Sequence, residues 1–244
     1  MALGTTNCLL IRDVEASRRE DNPNDSMTQQ LPYEYRPFSP AEMKAASERF
    51  LDSMSQRRSV RSFSSESFPI EVLQQCIACA GTAPSGAHRQ PWHFVIVANP
   101  DVKSRIRMAA EREEREFYST RAPDEWLEAL APLGTDANKE YLETAPYLVV
   151  LFAVNFGKDG DARVKHYYVS ESAGIAAGFF IAAVHQAGLC TLTHTPSPMG
   201  FLADILERPE NERPFLLMPV GFPAEGSTVP DLRRKSLSEI CSVI

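Results

Sequence analysis

The stretch from Lys165 to Pro198 constrains the fold of this chain most, because it predicts a helix with almost no polar face. Between Tyr168 and Gln186 small residues (Gly, Ala and Ser) alternate with Ile, Phe and Val. A helix that is apolar nearly all round must be buried, and its small side chains let another backbone approach closely. The sequence leaves two partners open, the core of the same chain or a second copy of the helix in a homodimer.

The segment that follows this helix predicts a ligand site. Gly188 is a typical residue just past a helix C-terminus, and residues 189–192 predict a short strand. Thr193-His194-Thr195-Pro196 comes directly after that strand and places two hydroxyl groups at its exit. We therefore expect a ligand at this end of the strand.

Composition excludes several classes of protein. A chain of 244 residues with a net charge of −7 is long enough for one domain and too acidic to favour nucleic acid or an anionic membrane. It has no apolar run of the roughly 18 residues needed for a membrane span and no signal-peptide pattern. Five scattered cysteines indicate a reducing compartment, so we expect a soluble, cytoplasmic protein. Residues 1–30 predict a disordered extension, and residues 31–244 predict one domain.

The order of elements predicts the fold class. Apolar or alternating runs predict four strands, at 93–98, 147–154, 189–192 and 215–221. Helical patterns separate them, at 40–55, 69–80, 101–118, 138–142, 168–186 and 201–206. Ser39 followed by Pro40 is a good start for the first helix. This order predicts an α+β or α/β sandwich with one sheet and helices around it.

Basic residues cluster near both ends of the predicted domain. Arg57, Arg58 and Arg61 lie close in sequence, and Arg233-Arg234-Lys235 adds further cations. Guanidinium groups bind phosphate oxygens in pairs, although a cluster of this kind is more often a solvated face. The chain has no glycine-rich dinucleotide motif and no P-loop.

Other polar motifs are weaker signals. Cys76 and Cys79 lie within an apolar helical pattern, which favours core packing, and the five histidines lack metal-ligand spacing, so no metal is expected. The turn-rich segment 81–92 is a candidate binding loop. The charged run around Glu114 predicts a solvated helix, but Glu114 and Tyr118 share one face of it and can point at the same ligand.

Several motifs in collinear order resemble one family. They are RRSVRSF (57–63), APSGAHRQPWHF (83–94), KEYLETAPYLVV (139–150), HYYVSESAGIAAGFFIAA (166–183), GLCTLTHTPSP (188–198) and VPDLRRK (229–235). Together they resemble the nitroreductase superfamily and, more narrowly, its FMN-dependent reductive dehalogenase branch, the iodotyrosine deiodinases. The resemblance implies an α+β sandwich with one central, mainly antiparallel sheet flanked by helices, in an intertwined homodimer with FMN between the subunits.

The resemblance also implies the residues that hold FMN. Arg57, Arg58, Ser59 and Arg61 would contact the flavin and its phosphate, and Arg234 would complete the phosphate site. Two further groups are implied, namely Pro84, Ser85 and Gly86 from the other subunit, and Thr193 and Thr195 at the flavin edge. Thr195 would donate its hydroxyl to flavin N5 and so favour one-electron steps.

The substrate site is implied in the same way. Glu114 would bind the ammonium of a halotyrosine, Lys139 its carboxylate, and Tyr118 would add a hydrogen bond from a lid around residues 111–121. The Ala87 backbone N–H would hold the phenolate oxygen. The implied reaction converts 3-iodo-L-tyrosine, or its bromo and chloro analogues, to L-tyrosine and halide, with electrons ultimately from NAD(P)H through a separate reductase.

Two other functions remain open at this point. One is a general nitroreductase or quinone reductase, which needs no amino-acid clamp. The other is a flavoprotein that binds halotyrosine without turning it over. The membrane anchor of animal members has no counterpart here, which implies a soluble form with a less certain physiological substrate.

Overall fold

The computed structural model describes residues 30–160 and 162–244, which fall in two units divided between Lys44 and Ala45. In the first unit Ser39 begins a helix as predicted. The Ser39 N–H donates to the Glu42 carboxylate at 2.8 Å, and the Glu42 N–H donates to Ser39 Oγ at 3.3 Å. These reciprocal bonds form a capping box, which satisfies two N–H groups of the first turn. The predicted disordered extension lies outside the described residues, except for residue 30.

The remaining elements follow in chain order. The helices are α1 (Pro40–Gln56), α2 (Ile70–Gly81), α3 (Pro100–Glu116), α4 (Asp124–Leu130), α5 (Tyr141–Thr144), α6 (Val169–Gln186), α7 (Gly200–Ile205) and α8 (Leu237–Ile240). The strands are β1 (Trp92–Val97), β2 (Tyr147–Val154), β3 (Phe156–Asp159), β4 (Ala162–Lys165), β5 (Cys190–Thr191) and β6 (Glu212–Gly221).

One sheet organises the second unit, with strand order β1-β2-β6-β5 and antiparallel pairing throughout. Successive side chains of β2 point to opposite faces of the sheet. Leu148 and Val150 pack with Ile106 and Leu142 of the helices on one face, whereas Val149 and Leu151 pack with residues of α2 and α6 on the other. Helices therefore cover both faces, which explains why β2 is a continuous apolar run and confirms the predicted α+β sandwich.

Helix α6 is buried on one side only within this chain. Ala173, Ala177 and Phe180 are fully or almost fully buried against the sheet, but Ile175 and Phe179 on the opposite side are 42% and 40% exposed. The sequence predicted that α6 is buried all round. The core of this chain buries one face of the helix, but the opposite face is exposed in a single chain. Gly188 follows the helix with φ +76°, as predicted for the residue after its C-terminus.

Some elements differ from the sequence predictions. The hairpin of β3 and β4 was not predicted, although the Asp-Gly pair at its turn is a recognised hairpin signal. Helices α4 and α8 were not predicted either. Helix α5 begins at Tyr141 instead of Asn138, because the Asn138 N–H donates to Asp136 Oδ1 at 2.9 Å in a turn. Strand β6 begins three residues earlier than expected. Among the described residues, no helix has the length and apolar character required to traverse a bilayer.

Candidate active site

A cavity of about 170 Å³ lies between the end of α3, helix α4 and the segment that follows β5. It is lined by six of the residues that the sequence marked as candidates, namely Arg61, Glu114, Tyr118, Lys139, Thr193 and Thr195. Other lining side chains include Trp126, Tyr141 and His194. The fold therefore brings together residues from four separate stretches of the chain.

The lid segment over this cavity is formed by the end of α3, a π-helical turn at Phe117–Arg121 and helix α4. The Ala122 N–H donates to the Phe117 carbonyl at 2.9 Å, five residues back. Such π turns occur frequently at functional sites. Phe117 and Trp126 pack edge to face with ring centres 5.1 Å apart. The lid segment is thus more apolar than its charged sequence suggested.

Glu114 and Lys139 form an ion pair inside the cavity, with Lys139 Nζ 3.4 Å from Glu114 Oε2. Only 2% of the Lys139 side chain is exposed, and its ammonium also donates to Thr135 Oγ1 at 3.2 Å and to the Asp136 carbonyl. Burial raises the pKa of Glu114, and the Lys139 charge opposes that shift. Burial lowers the pKa of Lys139, and Glu114 opposes it. The two charges therefore stabilise each other against the cost of burial.

Tyr118 completes this group, since its Oη donates to the Thr135 carbonyl at 3.3 Å and its ring centre lies 5.9 Å from Lys139 Nζ. The segment that carries Lys139 is fixed to α3. The Lys139 N–H donates to Glu111 Oε1 at 2.9 Å, and Arg107 Nε donates to the same carboxylate oxygen at 2.7 Å. Glu111 is therefore a structural residue that holds the two halves of the site together.

The segment Thr193–Thr195 runs beside β6 and alternates like a strand. The His194 N–H donates to the Leu217 carbonyl at 2.8 Å, and the Leu217 N–H donates to the His194 carbonyl at 3.0 Å. This pairing exposes Thr193 and Thr195 and buries His194. Thr193 and Thr195 both line the first cavity, at the strand exit where we expect a ligand.

Sequence analysis gave no role to His194 or Tyr141, yet both line the cavity. His194 is 7% exposed, and burial, together with the charges of Lys139 and Arg61, lowers its pKa to about 3. Its Nδ1 lies 3.4 Å from Tyr141 Oη, and its Nε2 lies 3.9 Å from Glu114 Oε1. The alternation of the Thr-His-Thr motif was the available signal, since a strand that exposes both threonines must bury the residue between them.

A second cavity, of about 370 Å³, adjoins Arg61 and is lined by a cluster of arginines, which we call the guanidinium cluster, Arg57, Arg58, Arg61 and Arg234, together with Ser59. Backbone carbonyls hold two of them. Arg234 donates to the carbonyls of Ser55 and Arg57, both at 2.6 Å, and Arg58 donates to that of Pro230. Since Arg61 lines both cavities, one ligand can extend through them.

The guanidinium cluster lacks a countercharge. Within the described parts of the chain, no carboxylate lies within 4 Å of a guanidinium nitrogen of its four members, whereas the neighbouring Arg233 pairs with Glu239 at 2.7 Å. Burial and the charges of Arg234 and Arg58 lower the pKa of Arg57. A phosphate group would supply the missing negative charge, so the residues present fit the phosphate end of FMN.

The loop from Pro84 to Ala87 lies elsewhere and lines neither of these cavities in the described chain. It packs on the start of α6, where the Gly86 N–H donates to Ser172 Oγ at 3.4 Å. A Cβ at Gly86 would lie 3.0 Å from the Tyr167 carbonyl oxygen, so only glycine fits without displacement. Ala87 has φ +49°, a left-handed backbone conformation that is uncommon for a residue other than glycine. The expected contact of this loop with FMN in the other subunit stays a prediction.

An antiparallel sheet between two helical layers, with an anion site that opens into a charged cavity, defines a cofactor-dependent enzyme of the nitroreductase type. The Nitroreductase family model matches residues 54–222, which includes the guanidinium cluster up to Arg61, the lid segment and both threonines.

Individual relatives narrow this class. The iodotyrosine deiodinase of Haliscomenobacter hydrossis is 55% identical over 215 residues, which cover 87% of this chain and 96% of the relative. That of Danio rerio is 44% identical over 92% of this chain and 77% of its own length. A crystal structure of oxidized iodotyrosine deiodinase bound to FMN and 3-iodo-L-tyrosine superposes with a TM-score of 0.67 at 29% identity, covering 77% of this chain and 96% of the other. The chain belongs to the nitroreductase family and, within it, to the iodotyrosine deiodinases.

Proposed function

We propose that this protein binds FMN and uses it to dehalogenate halotyrosines reductively, converting 3-iodo-L-tyrosine to L-tyrosine and iodide. The observation that carries the proposal is the buried pair of Glu114 and Lys139 in the cavity that Arg61 also lines. An amino acid presents an ammonium and a carboxylate, and only a site with both opposite charges complements it. A related crystal structure contains both FMN and 3-iodo-L-tyrosine, which supports the pairing of these two ligands.

FMN would occupy the guanidinium cluster. Arg58 and Arg234 would bind its phosphate, because carbonyl contacts already hold both guanidinium groups in place. Arg57, Ser59 and Arg61 would contact the rest of the cofactor between the phosphate and the first cavity. The absence of a carboxylate near these arginines in the described residues supports an anionic ligand.

The substrate would replace one ion pair by two. Glu114 would bind the ammonium and Lys139 the carboxylate, each giving up the other, while Tyr118 adds a hydrogen bond from the lid segment. A neutral phenol offers neither charge and leaves the pair of Glu114 and Lys139 closed. The clamp, as we call Glu114, Tyr118 and Lys139, therefore selects amino acids.

The chemistry at the ring needs two electrons and one proton. Bound FMN in its reduced form supplies the electrons, and together with a proton they replace the carbon–iodine bond by a carbon–hydrogen bond and release iodide. A halogen beside the hydroxyl acidifies the phenol, so the substrate binds as phenolate. The backbone N–H of Ala87 would donate to that oxygen, and the Thr195 hydroxyl would donate to flavin N5 and favour one-electron steps.

The assembly would be a homodimer. The face of α6 that carries Ile175 and Phe179 is apolar and exposed in a single chain, and the Pro84–Ala87 loop lies away from the cavities of its own chain. A second copy packed on α6 would cover this apolar face. The same packing would bring the Pro84–Ala87 loop of one copy to the FMN of the other. We further expect a cytoplasmic location, which the four free cysteines of the described chain support, and re-reduction by NAD(P)H through a separate reductase.

The test is iodide release by protein reconstituted with FMN and reduced with dithionite. With 3-iodo-L-tyrosine we expect one iodide per reduced FMN, and a much lower rate with 2-iodophenol, which lacks both charged groups. A general nitroreductase or quinone reductase would treat the two compounds alike. A binding protein without activity would retain 3-iodo-L-tyrosine and release no iodide.

A further inference from the structure

His194 carries a polar atom that has no role in the site described so far. Its Nε2 is fully buried and has no hydrogen-bond partner among the described residues, and the side chain is 7% exposed. Leaving a buried donor or acceptor unpaired costs about 1–3 kcal/mol. Such an atom is rare in native proteins and requires an explanation.

The surroundings of His194 determine which ring nitrogen bears the hydrogen. The ring is neutral, because burial keeps its pKa low, so one nitrogen donates and the other accepts. Tyr141 Oη lies 3.4 Å from Nδ1, and a hydroxyl can donate to it. On the other side Glu114 Oε1 lies 3.9 Å from Nε2, and an ionised carboxylate can only accept. Repulsion is avoided when the Tyr141 hydroxyl donates to Nδ1 and the ring hydrogen is on Nε2, where it faces Glu114 Oε1.

We propose that Tyr141 and His194 are positioning residues for Glu114, in a buried relay that presents the Nε2–H donor of His194 to the Glu114 carboxylate when an amino-acid ligand is bound. The inference rests on the proposed function, since it concerns the ammonium end of the same site. It adds two residues that contribute to the selection of amino acids over simple phenols.

The relay matters because Glu114 exchanges one hydrogen-bond donor, Lys139, for another, His194, when the ligand binds. Glu114 Oε2 pairs with Lys139 Nζ at 3.4 Å, and the 3.9 Å between His194 Nε2 and Glu114 Oε1 is too long for a hydrogen bond. When the ligand carboxylate engages Lys139, Glu114 loses that contact. A movement of about 1 Å then brings Oε1 within hydrogen-bond range of Nε2. Glu114 keeps a protein donor on one oxygen and turns the other to the ligand ammonium.

A neutral donor suits this position better than a cation. A second lysine or a protonated histidine beside Glu114 would repel the ligand ammonium at close range. Neutral His194 orients the carboxylate without competing for its charge. The low pKa that burial imposes on His194 therefore fits the task of holding an acid that must bind a cation.

Steady-state kinetics test the relay in the FMN-loaded, dithionite-reduced protein. We expect His194→Leu, which removes the donor and keeps the volume, to raise KM for 3-iodo-L-tyrosine at least tenfold with kcat changed less than twofold. KM for 2-iodophenol should change less than threefold. His194→Gln, whose amide can donate from a similar position, should recover most of the loss, and Tyr141→Phe should fall between wild type and His194→Leu.

A matched control is His166→Gln, since His166 is a partly buried histidine whose Nδ1 lies 2.9 Å from the Val154 carbonyl, in the hairpin region away from the cavity. It should leave both substrates unchanged. Equal losses for 3-iodo-L-tyrosine and 2-iodophenol in His194→Leu would mean that His194 only maintains the fold. Equal impairment by Leu and Gln, or no impairment by either, would overturn the proposal.

The tautomer provides a test that does not depend on activity. With 15N-labelled histidine, the NMR signals that disappear in His194→Gln belong to His194, and they should show a neutral ring with the proton on Nε2. A proton on Nδ1, or a doubly protonated ring at neutral pH, would overturn the relay whatever the kinetics show. If wild type released no iodide from 3-iodo-L-tyrosine, the proposed function would fail, and the tautomer would still decide the relay.

Discussion

The two connected cavities differ in whether their charged side chains have a partner of opposite charge in the protein. In the guanidinium cluster, Arg58 and Arg234 are held by backbone carbonyls and face no carboxylate within the described chain. In the clamp, Lys139 already has Glu114 at 3.4 Å. The arginine-lined cavity therefore gains a countercharge when its ligand binds, whereas the cavity that holds the clamp must give up an existing ion pair.

This difference separates affinity from selectivity. A cluster of like charges is stabilised by any suitably shaped anion, which favours retention of a bound cofactor. A closed ion pair is opened only by a ligand that replaces both contacts, because a ligand with one charge leaves the other group buried and unpaired. Under the proposed function, retention of FMN and selection of the substrate would thus follow from opposite charge balances.

The largest expected effect concerns the stability of the FMN-free protein. Lys139→Met leaves Glu114 buried without its partner, which we expect to lower the free energy of unfolding by about 3–5 kcal/mol. Arg57→Met makes the same kind of change in the guanidinium cluster and should cost less than about 1 kcal/mol, because it removes a cation that has no countercharge. Urea unfolding of both variants measures the difference. Equal losses would show that the two cavities do not differ in charge balance.

The next effect concerns FMN retention. Arg58→Ala should weaken FMN binding by about 1.5–3 kcal/mol, the range for a hydrogen bond to a charged group, or roughly 10- to 100-fold in Kd. Arg233→Ala is the control, since Arg233 borders the same cavity but already pairs with Glu239 at 2.7 Å. Quenching of flavin fluorescence gives both constants. A larger loss in Arg233→Ala would place the phosphate elsewhere.

Acid should destabilise the clamp side through His194. Its pKa is about 3 in the folded protein, well below the ordinary histidine value of 6.5, so between these values the unfolded chain binds the extra proton and stability decreases as the pH falls. Lowering the pH from 6 to 4.5 should cost about 2 kcal/mol from this group alone. His194→Gln should remove that part of the pH dependence, as urea unfolding at several pH values would show. If the loss of stability at low pH were the same in wild type and in His194→Gln, His194 would be protonated in the folded state.

The sequence predicted the fold better than the site. Continuous apolar strands and the small-residue helix α6 were sufficient for a sheet between helices, because these patterns are local. Glu114 and Lys139 are 25 positions apart, and their pairing depends on Glu111 anchoring the segment of Lys139 to α3, so only family resemblance connected them. His194 was missed because the Thr-His-Thr alternation indicates its burial only if the segment is extended, and pairing beside β6 is what makes it extended.

The lid segment shows the same limit. Its charged residues predicted a solvated helix, and the π turn and α4, which bring Phe117 and Trp126 over the cavity, were not predicted. A π turn depends on one extra residue in a helix whose local sequence is ordinary. Apolar contacts of this kind contribute to holding the lid segment in place, beside its charged residues.

The smallest effect tests the selection itself. Glu114→Gln keeps the shape of the side chain and removes the charge that would bind an ammonium, so the Kd for 3-iodo-L-tyrosine should rise about tenfold or more, on the order of 1.4 kcal/mol. Binding of 2-iodophenol should change little, because it presents no ammonium. Titration of FMN-loaded, oxidised protein by flavin fluorescence gives both values.

The double variant Glu114→Gln, Lys139→Met sharpens the comparison, since it removes the ion pair that a ligand must open. If the clamp selects by charge exchange, this variant binds the two ligands with similar Kd values; a remaining preference for 3-iodo-L-tyrosine would assign selectivity to Tyr118 and the lid segment instead.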